Sequence, residues 1–79
     1  MKEKKDEKLD PRIGKMAKKL TQMRKAKGYS SYEKFAWENG INRVQYYRVE
    51  NGQNITQKTL LKILDIHKIK LSEFCKDID

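Results

Sequence analysis

The chain has 79 residues, 37% apolar and 38% charged, with 4 glycines and 1 proline. That supports one small domain around one modest core, and it excludes a multi-domain enzyme, a pocket between lobes and a turn-rich β-sandwich. The net charge of +8 is uneven: residues 12–28 hold seven bases and no acid, residues 1–11 and 29–52 are each balanced, and residues 53–79 carry one surplus base. Such a stretch favours a polyanionic partner, nucleic acid or an acidic membrane.

One cysteine, Cys75, rules out an internal disulfide and fits a cytoplasmic location. With one histidine, His67, and scattered carboxylates, neither a metal nor another cofactor is expected. The N-terminal lysines precede no apolar segment of secretory type. No run nears the ~18 apolar residues of a membrane span, so no membrane partner is expected.

Residues 1–10 read as a flexible or helical extension and 11–79 as the folded domain. Asp10-Pro11 is a helix start, with Asp as cap and Pro at the first helical position. Ile13, Met16, Ala17, Leu20 and Met23 then follow at steps of three and four, which predicts a helix over 11–27 ended by Gly28. Lysines and arginines cover the rest of its surface. Ser30 and Ser31 compete to cap a second short helix; Ser30 has capping-box spacing to Glu33. Phe35 and Ala36, joined by Tyr32 and Asn39, make its inner face, and Gly40 ends it. Asn42 caps a third helix, Gln45 sits where it can reach back, and Ile41 with Tyr46 has hydrophobic-staple spacing. Asn51-Gly52 ends it. Thr56 caps a fourth helix, with Ile55 and Leu60 as a second staple and Leu60, Leu61, Ile63 and Leu64 as core. A last helix over 71–77 carries Leu71 and Phe74. The fold class is all-α, five short helices around one core.

Only Gly40, Ile41 and Asn42 separate helices 2 and 3, a helix–turn–helix spacing. Helix 3 is expected to turn Tyr46 and Val49 inward and Arg43, Val44, Tyr47 and Arg48 outward, with Gln45 occupied by capping. Arg43 and Arg48 can each donate two hydrogen bonds to guanine, and Val44 can touch a thymine methyl. On an isolated helix two exposed arginines are ordinary solvated side chains. Behind a helix–turn–helix and a basic first helix they suit base reading.

The stretch from Ile13 to Phe74 resembles the lambda-repressor-like, or XRE, helix–turn–helix family. The matching segments are Arg24-Lys25-Ala26-Lys27-Gly28, Phe35-Ala36, Gly40-Ile41-Asn42-Arg43, Arg48-Val49-Glu50-Asn51-Gly52 and Thr59-Leu60-Leu61-Lys62-Ile63. The resemblance implies a compact five-helix DNA-binding domain acting as a repressor-like transcriptional regulator, usually a homodimer on a palindromic site of double-stranded DNA. It places Arg43, Val44 and Arg48 at base-reading positions and Tyr47 toward the groove. It places Ser31, Tyr32 and Asn51 at phosphates, with Gln53, Asn54 and Lys58 nearby. It also pairs Arg24 with Glu50 as a structural ion pair that sets the angle of helix 3. Departures from the pattern are Asn39 at a usual apolar position, Trp37 at a usual polar one, His67 at a usual leucine, and Lys68 and Lys70 before the last helix. His67 is expected as a half-buried packing residue and Cys75 as a small packing residue. Trp37 either folds over a neighbouring helix or anchors a protein partner, and the latter motivates the alternative of an antitoxin-like interaction module. No nucleophile–base pair or phosphate-cradling loop points to an enzyme.

Overall fold

Four of the five α-helices among the described residues start at a side chain that satisfies an orphan backbone donor. The computed structural model describes residues 10–53 and 56–78. In α1 (Pro11–Ala26) Asp10 accepts from the Arg12 amide at 2.9 Å. The Arg12 side chain grips the same carboxylate and, with that amide, holds it well below the usual range. In α2 (Tyr32–Glu38) the cap is Ser31, which accepts from Lys34 N at 3.2 Å. The rival cap therefore takes the position, and because the third residue on is then Lys34, the capping box expected from Ser30 and Glu33 does not form. In α3 (Arg43–Glu50) Asn42 Oδ1 accepts from Gln45 N at 3.0 Å. In α4 (Gln57–His67) Thr56 Oγ1 accepts from Thr59 N at 3.1 Å. The staple expected of Ile55 lies outside the described residues. A one-turn α5 (Leu71–Phe74) runs into a 3-10 turn, Cys75–Asp77, and has no side-chain cap.

Leu20, Phe35, Ala36, Ile41, Tyr46, Val49, Ile63, Leu64 and Phe74 form the core. Two expected packing assignments fail, those of Leu61 and Cys75, and Leu71 on the last helix is exposed as well. Leu61 and Leu71 are each 47% exposed, and Cys75 is exposed. At 100° per residue Leu61 sits about 160° from Ile63, on the opposite side of α4. The single turn of α5 has room to bury one large side chain, and Phe74 takes it. Cys75, one residue on, rotates outward. Lys19 closes this end: its ammonium donates to the Phe74 carbonyl at 2.7 Å and lies 5.3 Å from the ring centre.

His67 is half-buried, as expected. Its ring stacks on Phe35 at 5.4 Å and 11°, and its Nε2 is buried without a hydrogen-bond partner among the described residues. Burial first, and Lys27 second, push its pKa below the ordinary 6.5. A base whose folded pKa is lowered is protonated preferentially in the unfolded chain. Its stability contribution is therefore whole above pH ~6.5 and declines as pH falls toward the lowered value. His67→Leu should stabilise by on the order of 1 kcal/mol at neutral pH by removing the orphaned nitrogen. It should also flatten the fall in Tm between pH 7 and 5, as followed by circular dichroism.

The α4–α5 turn needs a left-handed residue, and Lys68 supplies it at φ 57°, ψ 42°, with Ile69 N donating to Leu64 O at 3.1 Å. Lysine pays a steric penalty there that glycine avoids. Lys68→Gly should raise stability by about 0.5–1 kcal/mol, read as a shift in urea midpoint without a change in slope. No helix among the described residues is long and apolar enough to cross a membrane.

Candidate nucleic-acid interface

Helices α2 and α3 meet across Gly40, Ile41 and Asn42. Gly40 takes φ +69°, a conformation side chains resist. Ile41 N donates to Ala36 O at 2.9 Å, and Lys62 of α4 donates to the Gly40 carbonyl at 2.8 Å. Both the backbone and a neighbouring helix thus fix this turn.

The angle of α3 is held from behind by a buried ion pair. Arg24 Nε and Nη2 donate to the Glu50 carboxylate at 2.8 and 3.0 Å, and Nη1 donates to the Tyr29 carbonyl at 2.8 Å. The two side chains are only 6% and 9% exposed. Burial works to raise the Glu50 pKa, but the bonds from Arg24 override it and leave it lowered. The Glu50 bonds raise that of Arg24. The Tyr46 hydroxyl is buried in the same region, and burial pushes its pKa strongly up.

On α3, Tyr46 and Val49 are buried, whereas Arg43, Val44, Gln45, Tyr47 and Arg48 are all exposed. Gln45 departs from expectation. Asn42 caps through the Gln45 backbone amide, and no return bond from the Gln45 side chain is seen among the described residues. Gln45 therefore joins the outward face.

Two side-chain contacts cross from α2 to that face. Arg43 Nη1 donates to Glu33 Oε2 at 3.2 Å. The Tyr32 and Tyr47 rings lie 5.5 Å apart, tilted by 50°. Glu33 was not singled out by periodicity because the contact spans ten residues and a turn; only the opposite charges hinted at it. Tyr32, Arg43, Val44 and Tyr47 together line a shallow cleft.

The residues assigned to phosphates are more dispersed. Ser31 is engaged as the α2 cap. Asn51 caps α3, its side chain donating to Tyr47 O at 2.7 Å. Gln53 lines an apolar depression with Ile13, Val49 and Leu60, between α1, the end of α3 and α4. Lys58 is exposed in the first turn of α4. Asn54 lies outside the described residues.

Nor are the seven bases of residues 12–28 one patch. Arg12, Lys19 and Arg24 are committed to Asp10, Phe74 O and Glu50. Lys15, Lys18, Lys25 and Lys27 are exposed. Lys15, Lys18 and Lys25 fall within about 80° of the α1 circumference, while Lys27 points elsewhere. Lys18 borders the depression shared with Asn51 and Gly52, at the end of α3.

The sequence pattern of the helix-turn-helix family matches residues 15–74, about three quarters of the chain. The chain belongs to the XRE-type, lambda-repressor-like helix–turn–helix family. Members of this helix–turn–helix family are DNA-binding regulators, typically without catalytic activity. Neither a curated protein nor a solved structure gives a significant match.

Proposed function

We propose that this chain is a sequence-specific regulator of transcription, repressor-like, that binds double-stranded DNA as a homodimer with α3 in the major groove. The observation that carries the reading is the division of α3: two side chains buried in the core, and five, including Arg43 and Arg48, held outward on a helix braced by α2 and by the Arg24–Glu50 pair. A major groove about 12 Å wide admits such a helix, and its guanine edges match two arginines. One helix–turn–helix reads few base pairs, which favours a dimer with half-sites ~34 Å apart. A cytoplasmic site of action fits this role.

Selection of bound duplexes from a random pool at about 150 mM salt tests it. Enrichment of a palindrome with half-sites one helical turn apart is expected; retention without enrichment would sink the reading. Lysines on the exposed side of α1 supply affinity without sequence preference. Lys18→Ala should weaken every duplex alike and reduce the slope of log K against log salt by about one. An unchanged slope would remove Lys18 from the interface.

A second reading, a module held by a larger protein, draws on Trp37. Its ring is 84% exposed, so it does not fold over a neighbouring helix. As the one tryptophan of the chain, it reports its own covering. A blue shift of its emission on adding a protein partner would favour that reading, and its constancy would oppose it.

A further inference from the structure

The cleft between α2 and α3 has a mixed character. One side is apolar: Val44, and the tilted pair of Tyr32 and Tyr47. The other is the Arg43 guanidinium, held at 3.2 Å by Glu33. Tyr32, given a phosphate role by the resemblance, has its ring against Tyr47. Arg43 and Tyr47 are one turn apart on α3, and Val44 adjoins Arg43, so both chemistries face the same few ångströms of groove.

We infer that this cleft reads a 5-methylpyrimidine beside a guanine, with Arg43 on the guanine and Val44, Tyr32 and Tyr47 around the methyl group. The inference rests on the DNA reading above. In the major groove guanine offers two acceptors, O6 and N7, which suit a guanidinium fork. The C5 methyl is the one apolar group a base pair displays there, and an aromatic and aliphatic cleft suits it. Successive bases are 3.4 Å apart along a strand, which matches neighbouring side chains and not opposite ends of α3. Thymine and 5-methylcytosine carry the same methyl. Glu33 is a positioning residue: it touches no base and limits the directions open to Arg43.

The test uses the full chain and three random duplex pools: ordinary nucleotides, uracil in place of thymine, and 5-methylcytosine in place of cytosine. The ordinary pool should enrich half-sites containing thymine next to guanine. In the uracil pool the preference at that pyrimidine should vanish while the guanine stays, and uracil in an otherwise enriched duplex should bind about fourfold more weakly, as loss of one buried methyl implies. Entry of 5-methylcytosine at the same position would identify the methyl as the whole signal; its exclusion would identify thymine as the ligand. Val44→Ala, at an exposed site that leaves folding intact, should lose the methyl preference and keep the guanine. Tyr32→Ala should do the same. Glu33→Gln should blur the guanine preference alone and raise affinity for random duplexes, since a negative charge leaves the interface. Identical half-sites and affinities in the ordinary and uracil pools would overturn the inference while leaving the DNA reading standing. Absence of enrichment in every pool would overturn the DNA reading, and the inference with it.

Discussion

Glu50→Ala is expected to unfold the domain, or nearly so. The substitution leaves the Arg24 guanidinium, in a residue 5% exposed, without its carboxylate and still bonded to the Tyr29 carbonyl. Removing one member of a buried pair costs about 3–5 kcal/mol because the other charge remains buried. A domain of this size holds about twice that in total. At about 4–8 °C per kcal/mol the midpoint should fall by well over 10 °C. Glu50→Gln, which keeps a hydrogen-bond acceptor, should fall between. The same pair sets an acid limit. Glu50 has a lowered folded pKa, so its contribution is whole above the ordinary carboxylate value of 4.5 and disappears as pH drops through the folded value. Thermal melts of both variants from pH 7 to 3 check this. A Glu50→Ala midpoint within about 2 °C of the parent would remove the pair from the account of how α3 is held.

The second large effect is on recognition. Arg43→Ala should relax preference at one base pair of the half-site by about 1–3 kcal/mol, roughly five- to 150-fold, and leave other positions unchanged. Arg48→Ala should do so at a different base pair. Both sites are exposed, so melting temperatures should stay within about 2 °C of the parent. The signature is loss of discrimination with the affinity for random duplex nearly intact. Unchanged preference in both variants would mean that another face of the domain meets DNA.

The helix starts were legible because caps are local. Asp10, Asn42 and Thr56 each bond an amide two or three residues away, and that distance is visible in sequence. Ser30 and Ser31 illustrate the limit: two adjacent hydroxyls offer two registers, and the helix starts from Ser31. Burial was less legible than periodicity implied. Leu61 belongs to an apolar helix, but nothing in α4 says how wide a stripe its neighbours cover. The Arg24–Glu50 pairing followed from resemblance, since 26 residues separate the partners. Of the outward face of α3, period alone gave Arg43, Val44, Tyr47 and Arg48. It missed Gln45, which was assigned to a cap that the backbone amide fills, and it missed Glu33 and the turn of Tyr32 toward Tyr47, which depend on how two helices cross.

The threefold grip of Arg24 has a consequence for how such a chain diverges. Its Nε and Nη2 serve Glu50 while Nη1 serves the Tyr29 carbonyl. A lysine has one nitrogen and no fork, so even that exchange of like charge would abandon one of the partners. Val44, Gln45 and Arg48 carry no comparable obligation to the core. If α3 reads DNA as proposed, mutational drift can rewrite the target sequence in single steps while leaving the framework alone, and duplicated copies of the domain can acquire separate operators without passing through an unfolded ancestor.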